Sequence, residues 1–171
     1  VGLRLFLPES WTSDPERMAK AGVPDAMRTS RTKPEIALNE IDRLIAAGVR
    51  FGTVLADAGY GLSAAFRQGL SGRGLTWAVG IPKHQKVYPH EVELIFPVSG
   101  HGRPRKHPIP DILSVAAETI LKQASWKKVS WRRGTKGRLT ARFAALRVRI
   151  ADGTPQRILD KGQQHMPGEE A

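Results

Sequence analysis

Between Thr32 and Ile81 the chain alternates helix-like and strand-like apolar runs, and this rhythm narrows its possible folds more than any other feature. Thr32 with Glu35 three places on is a capping box, and Pro34 is tolerated in a first helical turn. Ile36, Ile41, Leu44 and Ile45 then recur near helical spacing and Gly48 supplies a stop, so a helix with one buried face is expected. Thr53-Val54-Leu55-Ala56 is a short continuous run that predicts a strand buried on both sides, ending at Asp57. A Gly59-Tyr60-Gly61 turn should follow, then a helix from Ser63 to about Leu70, closed by Gly72 and Gly74. Thr76 to Ile81 is the next expected buried strand. Helix, strand, helix, strand implies an α/β layer with neighbouring parallel strands.

The flanks read differently. Leu3 to Leu7 alternates like a strand, Trp11 to Pro15 like a turn, and Arg17 to Ala21 like a short helix ended by Gly22 and Pro24. After Pro82 come strand-like pieces from Val87 to Pro97, broken by Pro89, and a Gly, Pro and His-rich surface loop from Gly100 to Pro110. A helix is expected within Ile112 to Gln123. Lys127 to Arg133 and Gly137 to Ile150 predict a hairpin across Gly134-Thr135-Lys136-Gly137. In its second strand Leu146, Val148 and Ile150 would share a buried face, leaving Arg147 and Arg149 on a cationic outer one. There is no internal repeat, heptad pattern or low-complexity run.

Charge is distributed unevenly. The chain of 171 residues has a formal charge of +11, and the segment from Ser99 to Arg149 holds 13 basic residues against two acidic ones, so it carries the entire surplus. That favours a polyanionic partner such as DNA or RNA over general solubility. The segment alternates like strands, which argues against a basic membrane-surface helix. No window approaches the roughly 18 to 20 apolar residues of a membrane span and no signal peptide is evident, so a cytoplasmic protein is expected. Without cysteine, disulfides, thiolate zinc sites and thiol catalysis are excluded. The five histidines, His84, His90, His101, His107 and His165, read as solvated loop residues.

Asp57 is the carboxylate placed best for chemistry. In open α/β sheets ligands and metals collect beyond the carboxyl ends of strands, and two glycines nearby remove side chains that would block an approach. A helix-cap or turn role is the competing reading of the same position. Gly59-Tyr60-Gly61 lacks the Gly-Lys-Ser/Thr of a phosphate loop, Gly134 to Gly137 lies in a hairpin, and no Gly-x-Ser-x-Gly elbow is present.

The string Val54-Leu55-Ala56-Asp57-Ala58-Gly59-Tyr60-Gly61 resembles the second-aspartate block of insertion-sequence transposases that use Asp, Asp and Glu. The likeness extends to Leu7-Pro8-Glu9-Ser10-Trp11, to Arg31-Thr32-Lys33-Pro34-Glu35, and to Trp131 through Gly137 with Arg142 through Arg149. It points to the insertion-sequence-701-like members of the DDE superfamily and implies an α/β, partial ribonuclease-H-like fold with a β-rich basic insertion. Residues 1–82 would belong to the catalytic core, 83–151 to the insertion and 152–171 to a linker back to the core. The resemblance implies that Asp57 is catalytic and a metal ligand. The other two carboxylates are expected outside this chain, whose ends read as cuts in a longer protein, so these residues alone should be inactive. Implied cofactors are two Mg²⁺ ions, with Mn²⁺ an alternative. Implied partners are double-stranded DNA at element ends and target, and other copies of the intact protein in a transposition complex. No membrane partner is implied.

Trp131, Arg132, Arg133, Lys136, Arg138, Arg147 and Arg149 are the candidate DNA contacts, with Trp131 able to stack on a displaced base. Trp126 reads as a core residue of the hairpin, and Trp11 and Trp77 as packing residues. A non-catalytic nucleic-acid-binding module, with Asp57 as a turn residue, is the alternative.

Overall fold

The computed structural model describes residues 4–96, 105–158 and 162–170. It forms two compact units divided between Ile81 and Pro82. Among the described residues no helix is long and apolar enough to cross a membrane.

The first unit begins with two short helices, α1 (Glu9–Thr12) and α2 (Pro15–Lys20), and a 3-10 turn at Asp25–Met27. The strand expected over Leu3 to Leu7 is not formed: Arg4 to Leu7 pair with nothing as a strand, and Leu3 lies outside the described residues. The turn expected at Trp11 is helical instead. α3 (Lys33–Ala46) starts on the complete capping box: the Thr32 hydroxyl accepts from the Glu35 amide at 3.3 Å, while the Glu35 carboxylate accepts from the Thr32 amide at 2.7 Å. Those bonds hold the Glu35 carboxyl below its ordinary range. The helix ends as foreseen at Gly48, whose φ of 75° lets the Gly48 and Val49 amides turn back onto the carbonyls of Ile45 and Leu44.

β1 (Thr53–Ala56) and β2 (Thr76–Val79) pair in parallel, Thr53 opposite Thr76 and Ala56 opposite Val79. α4 (Ala58–Gly61) and α5 (Ala64–Gly72) make the crossover that parallel strands require. The Ser63 hydroxyl caps α5 by accepting from the Phe66 amide. The Arg73 guanidinium grips Asp42 of α3 with two bonds of 2.6 and 2.7 Å and holds that carboxyl below its ordinary range. Phe66, Leu70, Met18 and Val23 are the buried apolar residues of this unit. The expectation of doubly buried strands fails. Val54, Ala56, Trp77 and Val79 are half-buried, but the alternate residues are exposed, with Leu55 at 76%. α3 likewise has no fully buried residue. Both follow from a sheet of only two strands, too small to bury both faces.

The second unit is built on a four-stranded antiparallel sheet in the order β10, β9, β3, β6, where β3 is Lys86–Pro89, β6 Val115–Ala116, β9 Val148–Arg157 and β10 Gln163–Glu170. Tyr88, Val87, Val92, Ile150 and Ala151 are buried within it, and the Tyr88 hydroxyl donates to the His165 carbonyl at 2.7 Å. Burial raises the Tyr88 pKa. β4 (Leu94–Ile95) pairs with β5 (Ile109–Pro110), so the expected surface loop ends in a buried strand at its Ile109 side; its residues 100–104 lie outside the described set. The helix expected over Ile112 to Gln123 shrinks to α6 (Ala117–Leu121), because Val115 and Ala116 join the sheet. Segment 152–171, expected to be a linker, holds the whole of β10 and residues 152–157 of β9. β7 (Lys127–Gly134) and β8 (Gly137–Phe143) form a separate two-stranded ribbon.

Candidate functional site

Asp57 closes β1 and caps α4. One of its carboxylate oxygens, Oδ1, accepts from the Gly59 amide at 2.9 Å and from the Tyr60 amide at 3.4 Å. Its other oxygen, Oδ2, has no hydrogen-bond partner among the described residues, and the side chain is exposed. Capping and ligand binding are therefore compatible: the backbone fixes one oxygen and orients the other outward.

The turn that holds this carboxylate is clamped from three sides. Gly61 lies so close to the Gly80 carbonyl that any side chain at 61 would collide with it. A Cβ at Gly80 would stand 2.9 Å from the Ala58 nitrogen, so both positions must be glycine for the end of β2 to pack against the Asp57 turn. The buried Arg67 guanidinium donates to the Gly61 carbonyl, and the Tyr60 and Phe66 rings meet at 5.4 Å.

Asp57 opens onto a cavity of about 540 Å³ lined also by Phe6, Thr32, Lys33, Pro34, Gly59 and Tyr60. Sequence patterns do not single out Phe6, Lys33 and Tyr60 as site residues. The Arg31 to Glu35 motif declares itself as a helix cap, and its position at this cavity depends on how α3 packs, which no local pattern reveals. Among the described residues no three His, Cys, Asp or Glu side chains converge as a metal cluster. By itself the Asp57 carboxylate is a hard oxygen donor of the kind that suits a divalent ion such as Mg²⁺.

The ribbon sorts its side chains by register. Lys128 faces Arg142, Ser130 faces Thr140 and Arg133 faces Arg138, giving one face with four cations. Val129, Leu139, Ala141 and Phe143 share the other, joined by Trp131 and Arg132 where a bulge sets two residues opposite one. Trp131 is 55% exposed and meets Phe143 edge-on at 5.7 Å. Trp126 is exposed rather than core, with Arg142 over its ring at 5.9 Å. Trp77 donates to the Ser71 hydroxyl at 3.1 Å, and the Arg17 guanidinium lies 4.0 Å from the Trp11 ring centre.

The predicted second strand does not extend to Ile150. It stops at Phe143, and Val148 begins β9 in the other sheet, so Arg147 and Arg149 leave the ribbon. Arg147 is exposed in the link, whereas Arg149 is half-buried and its Nε donates to the Gly168 carbonyl at 3.1 Å. Lys136 lies in the ribbon's exposed turn. Lys128 already stands in sequence among the cations around Trp126 and Trp131, whereas Arg142 joins the candidate cations only here, because their shared face follows from where the strands end.

A family model described as DDE superfamily endonuclease matches residues 1–138. The chain belongs to the DDE superfamily endonucleases. The match takes in the whole first unit with its Asp57 turn, and continues into β8 of the ribbon. No curated protein and no solved structure matches the chain. Membership implies a DNA substrate and metal-dependent cleavage of the kind used in transposition.

Proposed function

We propose that this DDE endonuclease chain serves an insertion-sequence transposase, of the 701-like type, in DNA cleavage and strand transfer, with Asp57 as one metal-binding catalytic carboxylate. In this reading the first unit is part of a ribonuclease-H-like core and the second is its β-rich basic insertion. The carrying observation is Asp57 itself, exposed, lining an open cavity and held through Oδ1 by two amides at the carboxyl end of a parallel strand. Divalent ions, when bound, would activate the attacking oxygen and stabilise the leaving one at the scissile phosphate. Asp57 would hold and orient an ion through Oδ2, while its capped Oδ1 keeps the carboxylate from swinging. Among the described residues Asp57 belongs to no group of three potential metal ligands, so on this reading the chain by itself is expected not to cleave DNA.

The ribbon is the proposed DNA contact. Like charges directly opposite one another destabilise a strand pair, and this one carries two such pairs on one face. Phosphates would relieve that repulsion. Lys128, Arg133, Arg138 and Arg142 therefore form the phosphate row, with Lys136 at the tip and Arg132 beside Trp131 on the face that could receive a displaced base. Arg147 is a peripheral contact in this proposal, and Arg149 belongs to the sheet.

Asp57→Asn tests the catalytic role cleanly, because the amide oxygen of Asn can still accept the two capping bonds while the anionic ligand is removed. In the intact endonuclease it should abolish Mg²⁺-dependent cleavage and weaken metal binding by calorimetry, with end-DNA affinity retained. Cleavage near the parent rate would instead favour the non-catalytic module, in which Asp57 only caps α4.

A further inference from the structure

The cavity against Asp57 contains a cation that the metal-site reading leaves unused. Lys33, the first residue of α3, lines it together with Phe6, Thr32 and Tyr60. Its ammonium lies 5.1 Å from the centre of the Phe6 ring. Among the described residues it has no ion-pair partner. Glu35, two places along, is committed to Thr32 through its amide and hydroxyl. Asp57 and Lys33 thus face one space as anion and cation without neutralising each other.

This arrangement suits a phosphodiester better than a bare ion. A phosphate approaching a metal-binding carboxylate is repelled by it, and a cation lining the same cavity offsets that repulsion. An aromatic ring beneath the ammonium steadies it through the ring quadrupole and leaves its charge intact, where a carboxylate would cancel it. Lysine then acts as a point charge with three donors for a non-bridging oxygen. The space of about 540 Å³, with ring walls from Phe6 and Tyr60, also leaves room for the sugar or base attached to that phosphate.

The geometry points to Lys33 as a positioning residue that holds a non-bridging oxygen of a DNA phosphate beside Asp57. This rests on the catalytic reading of Asp57 given above. In the intact endonuclease, Lys33→Ala should lower kcat/KM for metal-dependent cleavage about tenfold to a hundredfold. Lys33→Arg should retain most of the activity, and Lys33→Gln should not.

The deciding measurement is binding without metal, by fluorescence anisotropy, to duplexes carrying one neutral methylphosphonate at each phosphate around the cleavage position. For the parent, one such replacement removes the Lys33 interaction and weakens binding. For Lys33→Ala that same replacement no longer weakens binding, and through relief of the repulsion from Asp57 it can only improve it, while replacements elsewhere weaken both proteins equally. Full additivity at every phosphate, or a Lys33→Ala protein that binds and cleaves like the parent, would overturn the assignment. Asp57→Asn measured alongside separates the two ideas: its activity at the parent rate defeats the metal reading, whereas its inactivity beside a parent-like Lys33→Ala defeats only the role of Lys33.

Discussion

Gly61→Ala should destabilise the first unit more than any other single methyl added around the Asp57 turn. A Cβ at 61 falls on the Gly80 carbonyl and within 3.2 Å of the Val79 side chain, so the main obstacle is backbone and cannot rotate aside. Overpacking of this kind costs about 1–3 kcal/mol, and the better helix propensity of Ala returns up to about 1 kcal/mol. A net loss near 2 kcal/mol is expected. For a unit of this size that lowers the melting temperature by roughly 8–16 °C. Two controls bracket the effect. Gly72→Ala, at the end of α5 with nothing within 4 Å, should leave stability unchanged or raise it by up to about 1 kcal/mol. Gly59→Ala puts its methyl 3.2 Å from Asp57 Oδ1, so it should melt near the parent and, under the role proposed for Asp57, weaken metal binding by crowding the cap. Melting followed by circular dichroism, with urea titrations for the free-energy scale, gives the order. A Gly61→Ala protein that melts with the parent, or a Gly72→Ala protein that falls as far, would refute the close-packing argument.

Neutralising Lys128, Arg133, Arg138 and Arg142 together as Gln should reduce the salt slope of DNA binding by about 0.9 for every phosphate that is no longer neutralised, read from affinities across a salt series, without lowering the melting temperature. Tyr88→Phe should cost about 1 kcal/mol in urea unfolding, since the His165 carbonyl loses its donor. The carboxyls of Glu35 and Asp42 are both depressed in the folded state, by Thr32 and Arg73 respectively, so their stabilisation is present above the unfolded pKa and disappears as the pH falls through the folded one. Melting temperature measured from pH 6 down to about 3 should therefore fall less steeply for Asp42→Asn than for the parent, and equal slopes would show that the Asp42–Arg73 pair contributes nothing.

Local chemistry makes part of this architecture legible. The Thr32–Glu35 box, the helix start near Ser63 and the Gly48 stop each depend on a few neighbouring residues, and each holds in the structure. The errors share a cause in interactions distant along the chain. The alternation of Leu139, Ala141 and Phe143 changes phase across Ala144 and Ala145 and resumes at Leu146, Val148 and Ile150, but only the pairing of Val148 to Ile150 with Val87 to Pro89 shows that one strand ends there and another begins. Leu55 belongs to an apolar run, but its burial depends on how many layers cover the sheet, which four residues cannot encode. In sequence Asp57 reads as either a cap or a ligand, whereas its two oxygens allow both. The cavity residues Phe6 and Lys33 stay invisible for the same reason as the strand ends: they reach Asp57 through tertiary packing.

The ribbon's separateness has an evolutionary consequence. Among the described residues its strands pair only with each other, and apart from Gly134 and Ala141 its side chains are exposed. Changes there are thus nearly uncoupled from the free energy of the other sheets. Most mutations elsewhere must first survive a folding threshold before selection can judge their activity. Those in the ribbon largely bypass it, so the grip on nucleic acid proposed for it could drift residue by residue while the Asp57 turn, hemmed in by Gly61, Gly80 and Arg67, stays nearly immutable.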